Sequence, residues 1–180
     1  DEELKDLRDL KRKTLVAALL TVPVLFLAFD SMIPGLSFGA ILSPKVQGLL
    51  ELLLATPVIL WAGGMFFSRG WRSIINRSLN MFTLIMLGVG ATYAYSVVAV
   101  IFPGLFPESF QMHGEVALYF EAGAVITTLI LLGQWLEAKA RRQTGKAIQS
   151  LLDLAAKTAY RLKENGEEEE VQIDNIGQGD

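Results

Sequence analysis

The stretch from Val116 to Ala155 constrains this chain more than any other. It opens as V-A-L-Y-F-E-A-G-A-V-I-T-T-L-I-L-L-G-Q-W-L-E, a run as long as the ~20 residues a bilayer core requires. It continues without a breaker into A-K-A-R-R-Q-T-G-K-A-I-Q-S-L-L-D-L-A, which is amphipathic and basic. A helix that leaves a membrane and keeps going is a mechanical lever. Glu121 and Glu137 lie inside or at the margins of the apolar part, where an ionisable group is costly without a partner or a task. Together these features point to membrane transport machinery.

Hydropathy patterning supports this placement. Of the 180 residues 52% are hydrophobic, and they fall in four blocks: Thr14 to Phe29, Val46 to Met65, Met81 to Phe102 and Val116 to Leu136. Each approaches the ~20 residues of a membrane span, and Pro23 within the first is tolerable in a membrane helix. Upstream, Leu4, Leu7 and Leu10 recur among charges, which predicts a short amphipathic lead-in over 1–13. No small-residue cleavage site follows the first block, so it reads as a retained span and not a signal peptide. The chain has no cysteine, which excludes disulfides, thiolate metal ligands and thiol catalysis within these residues.

Basic residues orient the spans. Lys11, Arg12 and Lys13 precede the first block; Arg69, Arg72 and Arg77 lie between the second and third; Lys139, Arg141 and Arg142 follow the fourth. The other two loops, Asp30 to Lys45 and Pro103 to Glu115, hold only Lys45. By the positive-inside rule both ends of the chain are expected in the cytosol and those loops outside.

Gly63 and Gly64 end the second block, and adjacent glycines are common kink sites in membrane helices. Beyond them, Phe66, Phe67, Trp71, Ile74 and Ile75 alternate with Arg69, Arg72 and Arg77 at roughly helical spacing. This predicts an amphipathic helix in the headgroup plane with its arginines toward water, serving as an aromatic anchor or as a platform for a partner protein. After Ala155 the pattern changes: T-A-Y-R-L-K and E-V-Q-I-D flank Glu164-Asn165-Gly166-Glu167, a hairpin signal. A β-rich cytosolic domain is expected to begin here. One hairpin is not independently stable in water, so the chain reads as truncated or its partner strands lie elsewhere.

Several side chains are candidates for chemistry. Glu137, beside Lys139 and Arg141, is either a headgroup-level ion pair or an ion ligand. Glu121 either snorkels to the outer interface or serves an ion path. On one straight helix the two are sixteen residues apart, about 24 Å along the axis and some 160° around it, so they would not face one pore. Met81 opens the third span; a lone membrane methionine is usually packing material, but beside a carboxylate its thioether is a soft ligand suited to copper(I). Met112, His113 and Glu115 in the second outer loop form either a metal contact or, more simply, a solvated loop. No Gly-rich phosphate loop, phosphorylation motif or nucleophile–base pair occurs, so these residues alone cannot hydrolyse ATP.

At L-N-M-F-T-L (Leu79 to Leu84), Y-F-E-A-G-A-V-I (Tyr119 to Ile126) and L-G-Q-W-L-E-A-K-A-R-R-Q-T-G-K-A-I (Leu132 to Ile148), the chain resembles the heavy-metal P-type ATPases, and among them the copper(I) exporters. The resemblance implies an α-helical membrane protein of four transmembrane helices with a kinked amphipathic platform helix and the first β-hairpin of an actuator domain. In that arrangement 14–78 holds two class-specific helices with the Gly-Gly kink and platform. Residues 79–155 hold the first two core transport helices, and 156–180 the start of the actuator domain. Met81 and Glu137 match residues of a cytosolic copper-intake site, and Glu121 a carboxylate on the release path. The Gly63-Gly64 platform, with Arg69 and Arg72, matches the place where a copper chaperone or an amino-terminal metal-binding domain is thought to dock.

The resemblance further implies a multi-pass protein of a prokaryotic plasma (inner) membrane, with the bilayer as its other partner and no nucleic acid. The transported ion would be copper(I). ATP and Mg would bind outside these residues, as would the Cys-Pro-Cys membrane motif, the Thr-Gly-Glu loop and the phosphorylated Asp, all expected beyond Asp180. Two alternatives stand beside this reading: the same class carrying silver, divalent copper or zinc, and a non-enzymatic four-helix membrane scaffold.

Overall fold

The structure, a computed structural model, describes residues 2–29, 42–112, 115–153, 158–163 and 166–177. It contains five long helices: α1 (Glu2–Ala28), α2 (Pro44–Thr56), α3 (Gly64–Ile75), α4 (Met81–Ile101) and α5 (Phe120–Asp153). The chain divides into two compact units, Asp1–Leu136 and Glu137–Asp180. Among the described residues, two stretches are long and apolar enough to cross a membrane, Pro44–Ala62 and Met81–Ile101.

Local chemistry sets where these helices begin and end. Ser43 precedes α2 and Pro44 opens it, a position where the missing N–H of proline is no loss. The helix then loosens into a π turn over Pro57–Ala62, and Gly63 N–H donates to Val58 O across five residues at 3.0 Å. Gly63 is the break. A Cβ there would come within 2.5 Å of Ile59 O and 2.8 Å of Thr127 Cγ2, whereas one on Gly64 would meet nothing. The helix is interrupted at Gly63, directly after Pro57 and the π turn, and of the glycine pair only Gly63 is closely packed. Chain reversal between α3 and α4 uses Arg77 at φ 52°. Asn80 then caps α4 reciprocally with Thr83: Phe82 N–H donates to Asn80 Oδ1 at 2.9 Å and Asn80 N–H to Thr83 Oγ1 at 3.1 Å.

Packing within the first unit follows membrane rules. Ala17, Ala55, Ala62, Ala99 and Ala124 are buried, while Leu15, Leu19, Leu53, Leu84 and Leu87 are exposed. Small residues inside and leucines outside is the arrangement expected where lipid is as apolar as leucine and helices associate by close approach. Hydroxyl pairs add interhelical hydrogen bonds, Thr21–Thr128 between α1 and α5 at 2.8 Å and Thr56–Tyr93 between α2 and α4 at 2.9 Å. Aromatic side chains fill the remaining space. Phe120 and Phe66 are fully buried, and Phe66 stacks on Phe82 at 6.0 Å.

Three boundaries differ from the sequence expectation. The lead-in and the first apolar block form one helix, α1, because nothing between Leu10 and Thr14 interrupts the backbone ladder; Thr14 Oγ1 folds back onto Leu10 O at 2.8 Å. The last apolar block becomes helical at Phe120, not Val116, because Glu115 and Val116 pair as a short strand (β2, Glu115–Val116) with β1 (Gln111–Met112). Met65 belongs to α3 and not to the second span. The first outer loop over 30–41, His113 and Asn165 lie outside the described residues.

In the second unit, β3 (Thr158–Leu162) pairs antiparallel with β4 (Glu168–Gln172), so the expected hairpin forms. Gly166 has φ 83°, a left-handed conformation that glycine adopts without penalty. Its N–H donates to Lys163 O at 2.8 Å, and Lys163 N–H donates to Glu167 O at 2.9 Å. Arg161 sits directly across from Glu169 and bonds it at 3.2 Å. That hydrogen bond, helped by Lys163, holds the Glu169 carboxyl below its ordinary range.

The glycine pair gives a direct test. Gly63→Ala should destabilise the folded protein by roughly 1–3 kcal/mol, as overpacking against backbone does, whereas Gly64→Ala should stay within about 0.5 kcal/mol. Thermal unfolding in detergent reads both, and equal effects would contradict the asymmetry.

Candidate functional site

Met81 is the first residue of α4, fixed between the Asn80 cap and the buried Thr83. The cap holds the backbone, and Met81 as a whole residue is 56% exposed. An exposed soft donor on a rigid helix start can contact an arriving ion without rearrangement of the backbone. Thr83 also hydrogen-bonds Ser73 of α3, and both are buried. A Cβ on Gly70 would approach Phe82 O within 2.6 Å, so α3 lies directly against the first turn of α4. The platform residues and Met81 therefore share one edge of the first unit.

Arg69 and Arg72 are exposed on α3. The Arg69 guanidinium lies 5.1 Å from the Phe82 ring centroid, a cation–π distance. Gly63 precedes this helix and Gly64 opens it.

Glu137 opens the second unit on α5. Its carboxylate accepts from Arg141 Nη2 at 2.5 Å, one turn along, with both side chains mostly exposed. The ion-pair reading of Glu137 is realised in this respect. Met81 lies in one unit and Glu137 in the other.

Glu121 is in the first turn of α5, where the positive end of the helix dipole favours a carboxylate. Its Oε2 is buried and without a hydrogen-bond partner among the described residues. Close to it stands a residue that the sequence reading passed over. Glu51 of α2 is 3% exposed. Gln47 Nε2 donates to Glu51 Oε1 at 3.3 Å and to Leu27 O at 2.6 Å, tying α2 to the end of α1. One turn before Glu51, a Cβ on Gly48 would meet Leu118 Cδ1 at 3.1 Å, which sets this part of α2 beside the start of α5. The signal for Glu51 was available, since it is the single ionisable residue inside the second apolar block.

The described residues thus place Glu51 and Glu121 on neighbouring helices and Met81 beside the platform. They form no cluster of three or more His, Asp or Glu side chains able to hold a metal ion.

Comparison with known proteins gives a consistent result. Over 173 residues, 96% of its length, the chain is 51% identical to a copper-exporting P-type ATPase of Legionella pneumophila. It is 51% identical over 176 residues to a copper-transporting P-type ATPase of Rhizobium leguminosarum, and 49% over 177 residues to a silver exporting P-type ATPase of Salmonella typhimurium. The alignments cover 97% of the chain in both cases, and the chain spans 21 to 23% of the length of these three relatives. No protein-family model matches it.

Glu51 and Glu121 stand on helices that pack together at Gly48 and Leu118, which predicts non-additive substitution. Glu51→Gln and Glu121→Gln, made singly and together, should show a coupling energy of about 0.5–3 kcal/mol in unfolding experiments. Additivity within roughly 0.3–0.5 kcal/mol would mean that the two carboxylates do not interact.

Proposed function

Because the chain belongs to the copper- and silver-exporting P-type ATPases, we propose that it forms the intake and linkage portion of an ATP-driven copper(I) exporter. The observation that carries this reading is the exposed Met81 thioether at the capped start of α4. Cytosolic copper(I) is best handed between soft ligands, never released to water. Met81 receives the ion, Glu137 assists its intake, and Glu121 serves its release. Silver, a monovalent soft ion, suits the same thioether.

In this reading the chain crosses the membrane four times with both ends in the cytosol. The apolar parts of α1 and α5 join the two apolar helices Pro44–Ala62 and Met81–Ile101, and the arginines of α3 keep that helix on the positive, inner side. Platform residues Gly63, Gly64, Arg69 and Arg72 receive an acidic copper chaperone or a metal-binding domain. The basic continuation of α5 carries the motion of the β-hairpin domain to the helices, a rigid-body mode of alternating access.

In the intact transporter, Met81→Leu should raise the copper(I) concentration for half-maximal ATP hydrolysis roughly tenfold, the equivalent of ~1.4 kcal/mol. Unchanged turnover across copper(I) concentrations would remove Met81 from the path. Glu137→Gln should act in the same direction unless the carboxylate serves only Arg141. Charge reversal at Arg69 and Arg72 should impair delivery from the chaperone more than activation by free copper(I), and equal losses would leave α3 as a membrane anchor.

A further inference from the structure

A cleft of about 340 Å³ opens between the second half of α3 and the start of α4. Arg69, Arg72, Asn76, Ser78, Asn80 and Phe82 line it, with the buried Ser73 at its floor. We propose that this cleft binds the phosphate group of an anionic phospholipid.

The lining chemistry is that of a phosphate site. Two guanidinium groups one turn apart offer forked donors that match phosphate oxygens, and amide and hydroxyl groups add neutral donors around them. No carboxylate among the described residues pairs with Arg69 or Arg72, so the positive charge of the cleft is uncompensated from within. Phe82 steadies Arg69 at the rim through the 5.1 Å cation–π contact. The volume lies within the ~300–1,000 Å³ of ligand-binding pockets.

The surroundings select lipid as the source of that phosphate. Trp71 and Ile75 are 60% and 63% exposed, and Trp71 lies between Ile74 and Ile75 in angle. At ~100° per residue this apolar stripe lies about 140° around α3 from the stripe of Arg69, Arg72 and Asn76. A helix with such opposed stripes rests in the interface with the apolar one inward, which sets the arginines at the level of the phosphate groups. The inference rests on the interfacial placement of α3 proposed above and goes beyond it by naming the occupant. Lipid phosphate and an acidic partner surface would then compete for the same two guanidinium groups.

Native mass spectrometry of the intact transporter, with phosphatidylglycerol and phosphatidylcholine as probes, tests this. The wild-type protein should retain phosphatidylglycerol in preference. R69Q/R72Q should lower that preference about thirtyfold, since each basic residue near an anionic surface contributes roughly fivefold. R77Q, whose arginine does not line the cleft, should leave it unchanged. Retention unaltered in R69Q/R72Q, or lost equally in R77Q, would overturn the proposal. Displacement of the lipid by millimolar inorganic phosphate would overturn it in favour of a soluble ligand. Copper(I)-stimulated ATP hydrolysis of the same wild-type sample separates the two readings. Lipid preference without a copper response sinks the transport reading alone, and a copper response without lipid preference sinks this one alone.

Discussion

The arrangement depends on how closely α3 can lie on the first turn of α4. Gly70 permits that contact, because any side chain there would meet the Phe82 carbonyl and Met86. The Ser73–Thr83 hydrogen bond and the Phe66–Phe82 stack then fix the angle and register of the contact. Everything assigned to the platform edge follows from it. Met81 opens α4 beside α3, Arg69 rests over Phe82, and the cleft lies between the second half of α3 and the start of α4. The break at Gly63 delivers the chain to this contact; the contact holds it there.

Elsewhere in the first unit, polar groups are few and each has a defined setting. Hydroxyls pair between helices, and Gln47 links α2 to α1. Glu51 and Glu121 are the exception, carboxylates on neighbouring helices of an apolar unit. Ionised groups in surroundings of low polarity are expensive.

Much of this was legible in the residues. Apolar blocks and arginine clusters located the helices of the first unit, and Asn165-Gly166 announced the hairpin, where Gly166 indeed takes the left-handed conformation. Where reading failed, the cause was physical. Periodicity does not see a strand pair as short as Gln111–Met112 with Glu115–Val116, so the start of α5 was placed too early. Charge patterning separated the lead-in from the first span, although a continuous backbone ladder ignores that change. Adjacent glycines look equivalent in sequence, and only the neighbouring Ile59 carbonyl and Thr127 distinguish Gly63 from Gly64. Glu51 was hidden by its surroundings, since a block judged by mean hydropathy conceals one carboxylate.

The central claim, that α3 is locked onto the first turn of α4, is open to one direct measurement. The chain has no cysteine of its own, so Ser73→Cys with Thr83→Cys places the chain's only two thiols at the buried hydrogen bond. Mild oxidation followed by mass spectrometry of the peptides should find the pair joined nearly completely, as closely apposed Cβ atoms allow. Two free thiols that both react with a maleimide after oxidation would show that α3 does not rest on α4, and the shared platform edge would fall with it.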